Sequence, residues 1–400
     1  MTADRRPRSF DGIVCMGGQD WWYHNRGHFD TQVLRRLARH MPVLFVNSIA
    51  VRMPSLAHKA QFAGRIGRKL KSITRGVVNV ENGLWVYSPF SVPGETGRRL
   101  TGWALAPQIR MAASRAGISK PLLWIHCPAG ADLVDRLPSA GVVFQRTDRF
   151  EAYPEADPES VGAQVHAMKV RADLTLYAAP HLMAEEQREV RRALLVTHGV
   201  DFEMFAEAGR AQGSDPADVA DLPRPRVGFI GGIDRHTFDP ELFVAVAQRL
   251  PDVNFVMVGA CSLPEGWCPL GNVHFVGRKP YEEVARYMAA MDALIMPWNA
   301  SDWIKACNPV KLKEYLAVGR PVISTDFPAL DGWRQFVRTA AGADAFAAAL
   351  REALTTPYDA ESARGAVAAE SWESKAASIT AELERMGLVY APSAHARRAA

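Results

Sequence analysis

The sequence is poor in cysteine. Its 400 residues include five cysteines, and no two of them form a C-x-x-C pair. They are Cys15, Cys127, Cys261, Cys268 and Cys307. This irregular spacing excludes a disulfide framework and the usual zinc clusters. It is typical of a protein from a reducing compartment, so we expect a cytoplasmic protein.

Long hydrophobic runs are also missing. None reaches the roughly 18 apolar residues that a membrane-spanning helix needs. The N-terminal segment MTADRRPRSF is basic but leads directly into a strand interrupted by polar residues, so we expect no signal peptide. With 48% hydrophobic residues, the chain can form two domains of ordinary size, each with its own core.

Acidic residues are absent from residues 31–80, although the net charge of the whole chain is only +4. Phe62, Ile66 and Leu70 recur there at intervals of four, as on one edge of an amphipathic helix. We expect the basic stretch 52–75 to bind an anionic membrane, which makes the protein peripheral on the inner face of the cell membrane. The alternative is a solvated basic face packed on its own domain. The sequence contains no basic motif interleaved with aromatic residues, so we expect no nucleic-acid partner. The basic residues of 31–80 are Arg35, Arg36, Arg39, Arg52, Lys59, Arg65, Arg68, Lys69, Lys71 and Arg75.

Predicted strands and helices alternate along the chain. The apolar strand at residues 10–16 ends at Gly17 and Gly18, and the later strand that starts at Arg226 ends at Gly231 and Gly232. This alternation predicts an α/β protein with mostly parallel sheets covered on both faces. Because ligands of such sheets bind at the carboxyl ends of strands, both Gly-Gly pairs are candidate ligand contacts.

The composition also predicts the domain limits. We expect an N-terminal domain over residues 1–205, a linker rich in Ala, Asp, Gly and Pro over 206–225, and a second domain over 226–388. Residues 389–400 are expected to form a disordered tail.

The stretch NPVKLKEYLAVGRPVIS, at residues 308–324, has the signals of a short helix followed by a buried strand. Asn308 is expected to cap the helix, and Gly319 to end it in a left-handed conformation. The N-terminus of such a helix attracts phosphate, and Lys311 adds a positive charge there. Glu314, one turn further on, is placed to accept two hydroxyls of a ribose. The alternative is an ordinary amphipathic helix with a solvated Lys–Glu pair.

Three segments ahead of this stretch favour the nucleotide interpretation: 272–277 (NVHFVG), 279–281 (KPY) and 291–298 (MDALIMPW). Their order resembles the donor half of GT-B-fold glycosyltransferases. The resemblance implies two Rossmann-like domains facing across a cleft, with the last helices returning to the first domain. It implies a nucleotide-sugar donor, of the UDP type, and no cofactor. The residues that would bind the nucleotide-sugar are Gly231, Gly232, Asn308, Lys311 and Glu314.

No D-x-D motif of the kind that holds Mg²⁺ or Mn²⁺ follows a predicted strand. Without a metal, backbone N–H groups and Lys or Arg must neutralise the diphosphate leaving group. We therefore expect metal-independent transfer, with Lys311 and the N-terminus of its helix as the clamp.

Asp148 is the favoured general base, because it follows the predicted strand 142–145 and active-site residues gather at such ends. Its segment resembles the aspartate loop of bacterial exopolysaccharide glucuronosyltransferases, which are inverting enzymes, although Arg149 stands where many relatives have a second acidic residue. Asp20, after the first Gly-Gly pair, and His126, after another strand, are the rival bases.

Retaining relatives have a Glu-x7-Glu pair whose second member corresponds to Glu314, but the first position here is Ala306. The resemblance therefore implies an inverting, aspartate-assisted displacement. The loops expected on the acceptor side contain Gly17, Gly18, Arg26 and His126.

These residues predict a hexosyltransferase that moves a hexose or uronic acid to a membrane-associated, lipid-linked or glycan acceptor in polysaccharide biosynthesis. Two alternatives stay open. A GT-B-fold nucleotide-sugar epimerase would bind the same donor without an acceptor. A non-catalytic partner in polysaccharide assembly would bind nucleotide or glycan but lack a working base.

Overall fold

The computed structural model describes residues 7–23, 27–49, 67–91, 95–153, 157–211, 213 and 215–393, with the backbone alone at 95–102, 302 and 306. The chain divides into two compact units. The first comprises Met1–Thr197 and Lys375–Ala400, and the second comprises His198–Ser374.

The first unit is built around a sheet of eight strands in the order β4-β5-β3-β2-β6-β7-β8-β9. All neighbouring strands are parallel except β4 and β5. The elements are β1 (Arg8–Phe10), β2 (Ile13–Met16), α1 (Phe29–Leu37), β3 (Val43–Val46), β4 (Val77–Glu81), β5 (Leu84–Tyr87), α2 (Glu95–Arg115), β6 (Leu122–Ile125), β7 (Gly141–Arg146), α3 (Pro158–Arg171), β8 (Leu174–Tyr177), α4 (Pro180–Glu186) and β9 (Ala193–Leu195). Residues 67–73 are also helical.

The first apolar strand is shorter than the sequence predicts. Residues 10–16 divide into the end of β1 and the whole of β2, because Asp11 interrupts the run. Its carboxylate accepts hydrogen bonds from the backbone N–H groups of Ser119 and Lys120, at 3.0 and 2.8 Å. The central strands β2 and β6 are buried along their whole length, as expected of a parallel sheet covered on both faces.

The second unit is a parallel sheet of six strands in the order β12-β11-β10-β13-β14-β15. This strand order is that of a doubly wound Rossmann sheet. The order reverses between β10 and β13, and such sheets bind ligands at the point of reversal. The elements are α5 (Phe202–Arg210), β10 (Arg226–Ile230), α6 (Pro240–Arg249), β11 (Asn254–Val258), β12 (Val273–Gly277), α7 (Tyr281–Ala289), β13 (Ala293–Met296), α8 (Asp302–Ala306), α9 (Val310–Val318), β14 (Val322–Ser324), β15 (Val337–Thr339), α10 (Gly342–Thr355), α11 (Ala360–Ala368) and the first residues of α12 (Trp372–Arg385).

Two of the expected boundaries differ in the structure. The first part of the expected linker, 206–225, belongs to α5, whose Phe205 is buried in the core of the second unit and whose Ala206 is also buried. The expected tail at 389–400 begins with strand β16 (Leu388–Tyr390), which pairs with β1. Helix α12 starts in the second unit, and the chain from Lys375 onward groups with the first.

Among the helices that the structure describes, none combines the length and apolar character that crossing a lipid bilayer requires.

The carboxyl ends of β10 and β11 approach each other through glycine. Gly259 has a φ of 149°, and a Cβ atom placed there would lie 1.9 Å from the carbonyl oxygen of Gly231. Only glycine suits this conformation and this contact. The close approach therefore fixes the backbone of Gly231 at the edge where β10 ends.

We predict that Gly259→Ala lowers the free energy of unfolding by more than about 2 kcal/mol, because it adds backbone strain and a steric overlap. Denaturant unfolding of the purified variant measures this change. Gly271→Ala is the matched control, since nothing lies within 4 Å of a Cβ at Gly271. Equal stability of the two variants would contradict the packing described here.

Candidate functional site

Lys311 lies directly over the end of β10. Its Nζ would be 2.2 Å from a Cβ atom at Gly231, so a side chain at that position would displace the amine. Gly231 also has a φ of 153°, which favours glycine. The structure thus brings together two of the predicted nucleotide-binding residues at the point where the strand order of the sheet reverses.

Tyr315 holds helix α9 in this position. The backbone N–H of Ile230 donates to the Tyr315 hydroxyl at 2.9 Å, and the tyrosine is fully buried. Tyr315 lies one helical turn after Lys311 and on the same face of α9. One hydrogen bond at the end of β10 therefore positions the lysine above the next residue, Gly231.

The two ends of α9 compare differently with the sequence prediction. Gly319 ends the helix with φ 75° and ψ 47°, so the predicted left-handed C-cap is confirmed. The predicted Asn308 cap is wrong. The helix begins at Val310, which makes Pro309 the N-cap residue, and no side chain caps the helix. Asn308 stands one residue too early for that role.

The Lys311 amine has an aromatic environment. Its Nζ lies 4.1 Å from the centroid of the Phe229 ring and 5.5 Å from that of Trp298. Within the described part of the chain, Lys311 forms no ion pair. Trp298 is 7% exposed, and its Nε1–H finds no acceptor among the described residues. Among the described residues, the site thus offers a cation that makes no ion-pair contact and a buried donor that has no acceptor.

The pKa values of the pair Lys311 and Glu314 respond to this environment. Burial lowers the pKa of Lys311 to about 8, although the charges of Glu314, Asp234 and Cys307 oppose that shift. Burial raises the pKa of Glu314 to about 7, against the attraction of Lys311 and with the repulsion of Asp201. Both groups keep part of their surface accessible, but protein atoms surround them densely enough to make the charged forms unfavourable. Perturbed pairs of this kind are frequent at functional sites.

Asp234 stabilises the turn in the loop after Gly232. The Asp234 carboxylate accepts from the backbone N–H groups of His236 and Thr237, at 2.9 and 3.3 Å. A Cβ at Gly232 would lie 2.9 Å from the other carboxylate oxygen. This turn closely follows Gly231, which is the glycine that lies beside Lys311.

A cavity of about 580 Å³ lies at the carboxyl ends of β11 and β12. Gly259, which touches Gly231, forms part of its wall, so the cavity adjoins the Lys311 position. Trp267 and Phe275 line it and meet edge to face at 5.7 Å. Phe275 belongs to the segment 272–277, which the sequence singles out, whereas Trp267 lies in no recognised motif.

A second polar cluster lies in the first unit, at the carboxyl ends of β2, β6 and β7. His126 Nδ1 lies 2.8 Å from a carboxylate oxygen of Asp30, which is 1% exposed. Burial alone would lower the pKa of His126, but the charges of Asp30 and Asp148 raise it above its ordinary value. A Cβ atom at Gly18 would lie 3.1 Å from the His126 imidazole ring, so the lack of a side chain there leaves room for the histidine.

The partner of His126 is absent from the sequence prediction. Asp30 lies in the first turn of α1, and burial would raise its pKa, but His126 lowers it below the ordinary value. The sequence does show an aspartate among the apolar residues of α1. It does not show which distant side chain forms a hydrogen bond with that carboxylate.

Asp148 is half-buried in the loop that follows β7. Arg146 holds this loop, since its fully buried guanidinium donates to the Asp148 carbonyl at 2.9 Å and twice to Glu151 at 2.8 Å. Glu186 accepts from the other side of the guanidinium, at 2.9 Å. The strand end is therefore rigid, and it presents Asp148 beside His126.

The remaining predicted residues are more dispersed. Asp20 accepts a hydrogen bond from the Trp22 N–H at 3.0 Å and organises its own loop. Gly17 leaves room for packing, because a Cβ there would lie 2.2 Å from the Phe45 ring. Arg26 lies outside the described residues. In the ranges described above, His, Cys, Asp and Glu side chains form no group of three or more that could hold a metal ion.

Known proteins share this architecture over nearly the whole chain. The structure of sucrose-phosphate synthase from Thermosynechococcus elongatus aligns with a TM-score of 0.68 at 18% identity, covering 94% of this chain and 98% of that one. Anabaena HepE, solved in complex with UDP and glucose, aligns with a TM-score of 0.61 at 14% identity, covering 94% and 99%. The chain has the GT-B fold, with two Rossmann-like units.

Comparisons of the amino-acid sequence add to this likeness in fold. Residues 224–356 match the family described as glycosyl transferases group 1. The Bacillus subtilis protein TuaH, named as a teichuronic acid biosynthesis glycosyltransferase, is 30% identical over 167 residues. That match covers 40% of this chain and spans about two-fifths of the relative's length. Residues 224–356 of the second unit are therefore similar to the group 1 glycosyl transferases.

We predict that Glu314→Gln stabilises the protein at pH 8 but not at pH 4.5. The folded-state pKa of about 7 exceeds the ordinary value of 4.5, so this carboxyl favours folding at low pH and loses that contribution as pH rises through 7. Thermal unfolding at both pH values measures the difference. Glu283→Gln, at an exposed glutamate of α7, is the control. A Glu314→Gln midpoint no higher than wild type at pH 8 would show that the carboxylate is not strained.

Proposed function

We propose that this chain is a glycosyltransferase that moves a sugar from a nucleoside diphosphate sugar, of the UDP type, to a hydroxyl acceptor. The observation that carries the proposal is the position of Lys311. Its amine stands without an ion-pair partner among the described residues, above Gly231 and at the N-terminus of an α-helix. A diphosphate supplies the negative charge that all three features favour.

The donor would bind along the carboxyl edge of the second unit. Its diphosphate would lie between Lys311, the first N–H groups of α9 and the backbone of Gly231 and Gly232. Glu314 would accept the ribose hydroxyls. A bound diphosphate would raise the lowered pKa of Lys311, because a nearby negative charge favours the ammonium form.

The nucleobase would enter the adjoining cavity. Its volume of about 580 Å³ suffices for a flat pyrimidine ring, and Phe275 remains 44% exposed on its wall. Aromatic side chains bind bases of any sequence through stacking. That HepE binds UDP and glucose supports a uridine donor here.

Transfer would need no metal ion. As the bond to the sugar breaks, negative charge collects on the departing diphosphate, and preorganised donors are the main means of stabilising such charge. Lys311 and the helix N-terminus supply them in this proposal.

Asp148 would act as the general base toward the acceptor hydroxyl. His126 is less suited to that role, because its raised pKa favours the protonated imidazolium. Group 1 enzymes are typically retaining. The alanine at position 306 removes one of the two carboxylates of retaining relatives, so inversion stays our prediction. The anomeric configuration of the product, read by NMR, decides between the two outcomes.

The acceptor is proposed to be a lipid-linked or other glycan met at a membrane surface. The teichuronic acid named for TuaH supports a polysaccharide product, and the basic stretch 52–75 supports peripheral binding to anionic lipid. Residues 52–66 of that stretch lie outside the described residues.

We predict that Lys311→Ala weakens UDP binding by about 1.5–3 kcal/mol, the contribution of a hydrogen bond to a charged group. Isothermal titration calorimetry at pH 7 measures the affinity, and Lys305→Ala, at an exposed lysine of the neighbouring α8, is the control. Unchanged affinity in the Lys311 variant would place the nucleotide elsewhere.

We predict that Asp148→Asn lowers turnover by roughly 10²–10⁴, the usual effect of removing a general base. UDP affinity should be retained, because Asp148 belongs to the other unit. Initial rates with donor and acceptor, alongside calorimetry with UDP, separate the two effects. A variant that turns over at the wild-type rate would assign the base to Asp20 or His126.

A further inference from the structure

The first unit exposes large apolar side chains where a surface would normally be polar. Trp103 is 81% exposed, and Leu70, Phe90 and Met111 are exposed by 54%, 55% and 47%. We call these four residues the apolar edge. Single exposed apolar residues are ordinary, but an indole this accessible in company with three others indicates a contact surface.

Hydrogen bonds hold the segments of the apolar edge together. The Phe90 N–H donates to Gln108 Oε1 at 3.0 Å, and Gln108 Nε2 donates back to the Phe90 carbonyl, so Phe90 stays beside α2. The hydroxyls of Ser72 and Ser88 lie 2.5 Å apart, which ties the helical residues 67–73 to the end of β5. Leu70 and Phe90 each stand two residues from this contact. The apolar edge is therefore one region of the unit rather than four scattered positions.

Helix α2 presents apolar and basic side chains together on its outer face. Trp103 and Met111 are exposed there, as are Arg110 and Arg115, while Ile109 faces the core at 1% exposure. From Trp103 to the end of the helix no acidic residue occurs. The outer face thus combines an indole with guanidinium groups, as helices that lie at a lipid–water interface do.

The charge of the surrounding sequence agrees with this face. Residues 31–131 contain 15 lysines and arginines but two acidic residues, whereas the rest of the chain is net negative. The apolar edge lies inside this basic region. A partner surface that is anionic and also accepts apolar groups is complementary to it.

We propose that the apolar edge docks the first unit on an anionic lipid bilayer, with Trp103 inserted at the level of the headgroups. Arg110 and Arg115 then lie against lipid phosphates. The inference rests on the proposed function in one respect: docking would bring the first unit to the membrane surface where the proposed lipid-linked acceptor is found. It assigns the apolar contact to α2 and its neighbours rather than to the basic stretch 52–75 alone.

A bilayer fits the observations better than a polyanion does. A nucleic acid or an acidic polysaccharide would be bound through charge, and would gain little from the thioether of Met111 or the side chain of Leu70. An anionic bilayer uses both the charges and the apolar groups. Salt should therefore weaken the binding by screening without abolishing it.

Sedimentation with vesicles tests this proposal on the full chain without donor or acceptor. Binding to vesicles of phosphatidylcholine with about 30% phosphatidylglycerol is compared with binding to vesicles of phosphatidylcholine alone. Trp103→Ser should lower affinity for the anionic vesicles about tenfold, since it removes one large apolar side chain from the contact. Trp103→Phe should retain most of the affinity, and Met111→Ser should lower it less. Val170→Ser, at an exposed valine of α3 in the same unit, is the matched control.

Three results would overturn the proposal: wild-type affinity in both Trp103→Ser and Met111→Ser, equal binding to the neutral vesicles, or binding to a polyanion but to neither vesicle. UDP calorimetry on the same samples distinguishes a failure of the docking proposal from a failure of the proposed function. Vesicle binding without UDP binding would remove the proposed function alone. UDP binding without vesicle binding would remove the docking surface alone.

Discussion

The docking of α9 onto the end of β10 determines the rest of the candidate site. The hydrogen bond between the Ile230 N–H and the Tyr315 hydroxyl fixes the helix, and the missing side chain of Gly231 admits the Lys311 amine. Gly259 in turn fixes Gly231 from the neighbouring strand. A change in any of these contacts would move Lys311, together with the N-terminus of α9, relative to the backbone of Gly231.

This arrangement opposes stability in the absence of a ligand. Lys311 and Glu314 stand where burial disfavours their charged forms, and the indole N–H of Trp298 has no acceptor among the described residues. A nucleoside diphosphate would satisfy these groups together. The same pattern, in which a functional site is held at a cost in folding free energy, is common in enzymes. It accounts for a partly buried lysine that lies over the Phe229 ring.

The sequence predicts those parts of the structure that depend on local signals. Alternating apolar segments predict the parallel sheets, and Gly319 predicts the end of α9. Features that depend on distant contacts are not predictable in this way. Asp30 acquires its meaning only when the fold places His126 beside it, 96 residues later in the chain. The pairing of β16 with β1 likewise joins the two ends of the chain.

The central claim is that a nucleoside diphosphate binds at the carboxyl edge of the second unit. A crystal structure of the protein with UDP tests it most directly. The account predicts diphosphate oxygens within hydrogen-bond distance of Lys311 Nζ and of the Gly231 or Gly232 backbone, with the ribose hydroxyls on Glu314. A nucleotide bound in the first unit, or one in the second unit that leaves Lys311 without contact, would contradict it.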